Sequence, residues 1–356
     1  MWVLHPKYSN IVARYGVYVS ILYLALALGL LVSKNYDTHG LLLAYGVLAT
    51  FTYSVSIAYV ASFARKTSIF HIASAPLLLV VGLLVLVDKV LARYALLALS
   101  IILLLGALHI WSIVCRASTK YKYSLLAPTL AYINPIAILS YYIVASREPS
   151  FAEEGLAILL SVPISMIYSV TWHSLPTTYG DKPELWRIIL QHAIHYTASI
   201  FYSIELVHWR ATLSASLLLY IFTAKIYRLG SYYRVAKSRR EPARKAHMYY
   251  VYGHLLVLLL IPLAVLVINV FKDTLLLVHT LAIGFIGLHI YTHTPLMIPT
   301  ILSKPASRKF NIATYMLLLT SLLAWQLARN ISLPFIVASL AALLYSTIRL
   351  APKKTN

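Results

Sequence analysis

The sequence is poor in charge. Charged residues make up 11% of its 356 residues, whereas a soluble domain carries about 25%. Hydrophobic residues reach 60%, and the mean hydropathy is +0.78. This balance excludes a soluble globule and predicts a multi-pass protein of the plasma membrane.

Cysteine is almost absent. Cys115 is the only one, so an internal disulfide and a metal cage of cysteine thiolates are both excluded. Any metal must be held by His, Tyr, Met or carboxylate side chains. The sequence also lacks the glycine-rich phosphate loops, the zinc-protease motif and the nucleophile elbow of common enzymes. No catalytic residue is therefore predicted.

Long apolar runs fill most of the chain. Because lipid offers no hydrogen-bond partners, such runs must form helices of about 20 residues or closed barrels, and these runs lack the alternation of barrel strands. We predict an all-α, polytopic transmembrane helical bundle, with one domain over residues 1–356. The predicted spans number about twelve: 11–32, 39–63, 70–87, 94–115, 123–146, 151–172, 186–207, 211–228, 249–271, 274–302, 312–328 and 331–349.

Basic residues follow these spans, so the net charge of +20 does not indicate nucleic acid. With the N-terminus inside, 23 of the 30 Lys and Arg residues fall in inward loops and termini, and the other seven in outward loops. The positive-inside rule therefore predicts that both termini are cytoplasmic. The most basic loop, residues 229–247, either obeys this topology alone or also meets anionic lipid or a protein partner.

Histidines enter the spans, where an ionisable group costs about 2.5–3.5 kcal/mol or more and is functional by default. At about 1.5 Å per residue, five of them reach a similar depth, roughly 8–13 Å from the inner face. We predict that these five converge on one pocket as metal ligands: His109, His192, His195, His254 and His289.

Spacing supports the same chemistry. His192 and His195 are three residues apart, and His289 and His293 are four apart, so each pair shares a helix face. Paired imidazoles suit copper, iron or zinc, and the alternative is a proton relay. The histidines predicted to be interfacial or satisfied polar groups are His5, His71, His173, His208 and His247.

Two short motifs begin with a histidine near the outer face. The stretch "HTLAIGFIG" contains His279, Gly284 and Gly287, and "HGLLLAYG" begins at His39. In these motifs, the chain resembles the NnrS family, with weaker matches at Asn134, at Pro176-Thr177-Thr178 and at His254. It departs from the family in having "NYDT" before the second span and "YSVTWHS" at the end of the sixth, and in lacking a His-Thr-Gly-Arg stretch after the tenth.

The resemblance implies a twelve-helix membrane protein that binds heme and copper and handles or responds to nitric oxide. It implies His39 and His279 as heme or metal ligands, with Gly284 and Gly287 beside the bound ring. Two simpler interpretations remain open: His279 hydrogen-bonds a neighbouring helix, and the glycines serve close helix packing.

Two other functions are considered. A subunit like those of heme-copper oxidases or nitric-oxide reductases has twelve helices too, but span 186–207 has no adjacent His pair, and span 274–302 no His-x-His. A proton-coupled transporter that uses intramembrane histidines predicts broken helices in matching halves. The prolines at 163, 262, 295 and 299 do not pair in that way.

Overall fold

The computed structural model of the protein describes residues 3–117, 122–240, 243–271, 273–301, 313–327 and 334–342. The sequence predicts one domain, and within it the contacts of the chain form two compact units. The first unit comprises Met1–Ser174 and Pro183–Ser216, and the second comprises Leu175–Lys182 and Leu217–Asn356.

Helices account for nearly all of the described chain, and every predicted span overlaps a helix, although the spans 70–87, 186–207 and 211–228 extend beyond the helix ends. In order they are α1 (Lys7–Val32), α2 (Tyr36–Ala64), α3 (Ile69–Val85), α4 (Lys89–Ala117), α5 (Lys122–Val144), α6 (Phe151–Thr178), α7 (Leu185–Ser203), α8 (Trp209–Thr223), α9 (Leu229–Ser238), α10 (Ala243–Val270), α11 (274–301), α12 (Ala313–Leu327) and α13 (334–342). Strand pairing within the described residues is limited to Val3–Leu4 (β1) with Thr67–Ser68 (β2). The all-α class is confirmed.

Seven helices in the described part of the chain are long and apolar enough to cross a membrane: α1, α2, α4, α5, α6, α10 and the 274–294 part of α11. Many large apolar side chains lie on their outer surfaces, as a lipid solvent permits. These helices support a membrane protein. The basic residues from Lys304 to Lys309 and from Arg349 onward lie outside the described residues.

Three helices change winding along their length. α2 is π-helical over Leu42–Ala49, α6 over Leu160–Ile164 and α11 over Thr280–Gly287. In α6 this segment contains Pro163, which has no N–H to donate to a carbonyl of the preceding turn. The hydroxyl of Ser161 in the same segment donates to the carbonyl of Ile158 (3.3 Å). Such segments alter which carbonyls accept bonds within the helix, and they often occur at functional sites.

Small residues let helices of the first unit approach closely. The ring of Tyr23 on α1 is fully buried and packs against Gly46 of α2 and Gly82 of α3. A Cβ atom at Gly82 would lie 2.5 Å from the Tyr23 ring, and one at Gly46 would lie 2.9 Å from it. Gly46, which ends the "HGLLLAYG" motif, therefore has a packing role.

In the second unit, α10 packs against α11 and α9, and α12 packs against the π-helical part of α11. A Cβ atom at Gly253 would lie 2.1 Å from the hydroxyl of Thr292. This close approach of α10 and α11 is directly beside the histidines described next.

Candidate functional site

Three buried histidines lie together in the second unit. His254 on α10 is 0% exposed, and His289 and His293 on α11 are 1% and 8% exposed. The ring centroids are 5.4 Å apart for His254 and His293, 6.1 Å for His254 and His289, and 6.4 Å for His289 and His293. The predicted shared face of His289 and His293 is thus present, and α10 adds the third ring.

Hydrogen bonds fix which nitrogen of two rings carries the proton. The Nδ1 atoms of His254 and His289 lie 2.8 Å and 2.6 Å from the carbonyl oxygens of Tyr250 and Phe285. Because a carbonyl oxygen only accepts, Nδ1–H is the donor in both rings and each Nε2 atom has a lone pair. This is the arrangement that ligating histidines adopt, with the second N–H held by a carbonyl.

The two Nε2 atoms have different surroundings. His289 Nε2 accepts a hydrogen bond from the hydroxyl of Tyr220 on α8 (2.7 Å). His254 Nε2 is buried and has no hydrogen-bond partner. Because an unpaired buried acceptor loses its hydration without replacement, this lone pair is the least satisfied group of the cluster.

Aromatic rings close the cluster. Tyr250 contacts both His254 and His293, with ring centroids 4.6 Å and 5.0 Å away, and Phe285 contacts His289 at 4.5 Å. As the side chains are placed, the described residues contain no three His, Cys, Asp or Glu side chains that converge on a metal position.

Two more of the predicted metal ligands, His192 and His195, lie on the buried face of α7 in the first unit. His195 uses both ring nitrogens: Nε2–H donates to the carbonyl of Leu160 (2.8 Å), and Nδ1 lies 3.3 Å from the hydroxyl of Ser216. His192 Nε2 lies 2.8 Å from the hydroxyl of Ser169. The ring nitrogens of this pair make hydrogen bonds and do not converge on one metal position.

The remaining predicted ligand, His109 on α4, contacts the start of α3. Its Nδ1 atom lies 3.0 Å from the hydroxyl of Ser68, and its ring packs against Phe70. His71, which the sequence suggested was interfacial or satisfied, is fully buried, and neither ring nitrogen has a partner. Gly106, one turn before His109, leaves room for the His71 ring: a Cβ atom there would lie 2.6 Å from Cδ2.

The two motif histidines precede π-helical segments. His39 lies half-buried at the start of α2, and its Nδ1 atom donates to the carbonyl of Ala27 (2.7 Å). His279 lies on α11, and its Nδ1 atom donates to the carbonyl of Leu275 (2.8 Å). Each ring therefore also has its lone pair on Nε2. Their pairing at one heme stays a prediction, since each histidine belongs to a different unit.

One of the two motif glycines of α11, Gly287, has a packing role. Gly284 is buried. A Cβ atom at Gly287 would lie 3.6 Å from Leu318 of α12 and 3.2 Å from the carbonyl of Ala282. Leu318 therefore occupies the space beside Gly287, which favours close helix packing over a slot for a macrocycle.

A buried ion pair in the first unit escaped the sequence interpretation. Arg93 on α4 is 2% exposed and Glu154 on α6 is 0% exposed. Their contact is bidentate, with Nε–Oε1 at 2.8 Å and Nη2–Oε2 at 2.9 Å, and the Tyr45 hydroxyl donates to Oε1 (2.7 Å). Arg93 lies just before the predicted span 94–115, so it counted among the seven basic residues of the outward loops. Tyr45 belongs to the π-helical part of α2, so this winding helps to satisfy the carboxylate.

The other histidine interpretations are mixed. His173 is a satisfied polar group, as predicted, since its Nδ1 atom lies 2.6 Å from the hydroxyl of Tyr59. His5 is exposed and its Nδ1 atom accepts from the Lys7 backbone, and His208 is also exposed. His247 is half-buried, and its Nδ1 atom has no partner.

The basic loop contains a short helix, and an acidic residue from between α6 and α7 contacts its start. Asp181 binds Lys225 (3.5 Å), Arg228 (2.5 Å) and the hydroxyl of Tyr232 (3.0 Å). Burial acts to raise the pKa of Asp181, but the Tyr232 hydrogen bond and the two cations outweigh it and lower that pKa. Helix α9 buries Leu229, Tyr232 and Ala236. It leaves Arg234 and Lys237 exposed, and their binding to anionic lipid or a partner stays a prediction.

No family model, curated protein or solved structure compared with this chain matches it.

Proposed function

We propose that the protein is an integral membrane protein that binds a transition metal, copper by preference, at His254, His289 and His293. The observation that supports this most directly is the buried lone pair of His254 Nε2, which has no partner and belongs to a cluster of three imidazoles. Coordination would supply the missing partner and offset the desolvation of the ring.

The ring spacings are close to those around one metal ion, and the His289 ring must move nearer to the other two rings to coordinate the same ion. With N–metal bonds of about 2 Å, imidazoles around one ion stand with their centres roughly 5–6 Å apart. The three observed separations are 5.4, 6.1 and 6.4 Å. Binding by His289 requires the Tyr220 hydroxyl to release Nε2, so Tyr220 is expected to tune affinity. Among divalent ions, copper has the highest affinity for nitrogen ligands of this kind.

The nitric-oxide part of the proposal rests on the NnrS resemblance alone. In this part of the proposal, the copper site responds to or handles nitric oxide, and His39 and His279 hold a heme. The Nε2 lone pairs of both rings support axial ligation. The packing of Leu318 against Gly287 argues that the heme does not lie over that glycine.

We also propose twelve spans with both termini in the cytoplasm of the cell, because the basic residues follow that alternation. In this arrangement α3, α7, α8 and the two last helices cross the membrane as well as the seven most apolar ones.

Metal analysis of the detergent-purified protein tests the copper site. We expect about one copper ion per folded chain, with His254→Ala and His289→Ala weakening binding roughly tenfold or more. His208→Ala, at an exposed histidine, is the matched control and should bind as the natural protein does. Equal copper affinity in all four proteins would contradict the proposal.

The optical spectrum tests the heme. We expect a Soret band that shifts or disappears in His39→Ala and in His279→Ala while the variants stay folded. Loss in one variant only would disprove the pairing, and an unchanged spectrum in both would disprove the ligand assignment. A protein without any Soret band would remove heme from the proposal and leave the copper site to its own test.

A further inference from the structure

The buried face of α7 is polar although the helix is surrounded by apolar segments. Its buried residues are Arg187, Ile188, Gln191, His192, His195, Ala198, Ser199 and Ser203. Large apolar residues of the same helix are exposed instead: Trp186 is 52% exposed and Ile189 is 48% exposed. Buried polar side chains thus recur every three or four residues from Arg187 to Ser203, about 24 Å of helix. This covers most of the roughly 30 Å of a bilayer core.

Side chains from α5, α6 and α8 complete this polar seam, which consists of the buried polar residues of α7 and their hydrogen-bond partners. Asn134 of α5 donates to Ser165 (3.1 Å) and to Ser199 (3.0 Å). His195 Nε2–H donates to the carbonyl of Leu160, in the π-helical part of α6. On α8, Ser216 lies within hydrogen-bond distance of Gln191, His195 and Tyr168.

The seam contains more acceptors than donors. The Ser169 hydroxyl donates its one proton to the carbonyl of Ala127 (2.7 Å), so His192 Nε2–H must donate to Ser169. His192 Nδ1 is then a lone pair, and it is buried without a partner. Asn134 Oδ1, with both amide hydrogens used on serines, is a second buried acceptor without a partner. Two unmatched acceptors inside a helix interface indicate a positively charged or proton-donating occupant.

Each end of the seam carries an exposed carboxylate. At one end Glu184 pairs with Arg187 (3.0 Å), and the Glu184 side chain is 39% exposed. At the other end Arg147 contacts Glu205 and the carbonyl of Ser203, and the Glu205 side chain is 69% exposed. Between these ends, the titratable groups that contact His192 and His195 are Tyr168 and Tyr196, both uncharged at neutral pH.

We propose that the polar face of α7 conducts protons across the membrane, with His192 Nδ1 as the buried proton acceptor and Glu184 and Glu205 as the groups that exchange protons with water. A proton enters at one carboxylate, binds and leaves the imidazole lone pair, and departs at the other carboxylate. No bond other than O–H and N–H forms or breaks. His192 and His195 are not part of the proposed copper site, so this inference does not rest on it.

Proton flux into vesicles tests the proposal. The full chain would be reconstituted into vesicles of phosphatidylcholine and phosphatidylglycerol that enclose a pH-sensitive dye, and a potassium diffusion potential would be applied. We expect acidification faster than in protein-free vesicles, and a loss of roughly tenfold or more in His192→Gln, whose amide keeps a donor for Ser169 but binds no proton. His208→Ala is the control and should conduct as the natural protein does.

A second variant and a copper measurement distinguish a loss of proton conduction from misfolding. Ser199→Ala, which removes one of the two partners of Asn134, should also slow the flux, so this variant tests the proposal even if the His192 variant fails to fold. Copper content should be unchanged in both variants, which separates this outcome from that of the metal site. Flux equal to that of protein-free vesicles, unimpaired flux in both folded variants, or discharge of the potential without acidification would overturn the proposal.

Discussion

At the scale of single residues, the ion pair of Arg93 and Glu154 makes the sharpest stability prediction. Glu154→Ala removes the buried carboxylate and leaves the Arg93 guanidinium only its longer contact with the exposed Glu148 (3.5 Å), and breaking a buried pair costs about 3–5 kcal/mol. We therefore expect the unfolding temperature in detergent, followed by intrinsic fluorescence, to fall well below that of the natural protein. Replacing both partners, as Arg93→Met with Glu154→Leu, should recover much of the loss. Equal unfolding temperatures for Glu154→Ala and the natural protein would show that the pair is dispensable.

Asp181 makes a pH prediction. Its pKa is lower in the folded protein than in the unfolded chain, so it stabilises the fold fully above its ordinary value of about 3.9. As pH falls through that value and then through the folded one, this contribution is lost. Asp181→Asn should therefore unfold about 2–4 °C below the natural protein at pH 6, with the gap closing below pH ~4. Arg228→Gln should reduce the pH dependence in part, and a gap that is constant with pH would exclude the mechanism.

Individual histidines were only partly predictable. Depth along a helix follows from residue counting, and it correctly singled out His254 and His289 as residues of one buried group. The rotation of one helix about its axis relative to the next cannot be counted in this way, so His109 was grouped with residues that it does not contact. The complete burial of His71 was not predicted, because this residue lies only two residues after the start of its helix, a position that is normally interfacial.

At the scale of helices, glycine contacts predict where small residues are required. Gly82→Ala places a Cβ atom 2.5 Å from the buried Tyr23 ring, and such overpacking costs about 1–3 kcal/mol. Gly29→Ala on α1 meets nothing within 4 Å, and it should be neutral or stabilising by up to about 1 kcal/mol. Unfolding of the two variants in detergent compares them directly. If Gly82→Ala is as stable as Gly29→Ala, the packing assigned to Tyr23 is wrong.

Helix positions were predictable because lipid leaves the backbone no alternative to internal hydrogen bonds. The changes from α-helical to π-helical winding were not predictable. The π-helical segments of α2 and α11 have no proline, so no residue of the sequence marks them. Helix α9 was also missed, because its charge suggested a loop while its buried Leu229, Tyr232 and Ala236 follow helical spacing.

At the scale of the whole molecule, orientation is testable without purification. Reporter fusions inserted after Ser238, at the end of α9, should be active in the cytoplasm. Fusions in the loop between α4 and α5 should also report a cytoplasmic position. An external signal after Ser238 would reverse the positive-inside assignment and change which carboxylate of the α7 seam faces the cytoplasm.

The inverted polarity of α7 also has a consequence for how the chain is made. A helix with Arg187, Gln191 and two histidines on one face partitions poorly into lipid by itself, because each charged residue costs about 2.5–3.5 kcal/mol at a helix centre. Its partners Asn134, Leu160 and Ser169 precede it in the sequence, and Ser216 follows it. During synthesis the three earlier partners have therefore left the ribosome before α7 emerges. Membrane insertion of α7 is expected to wait for α5 and α6, so that removing those helices from the nascent chain would leave α7 outside the bilayer.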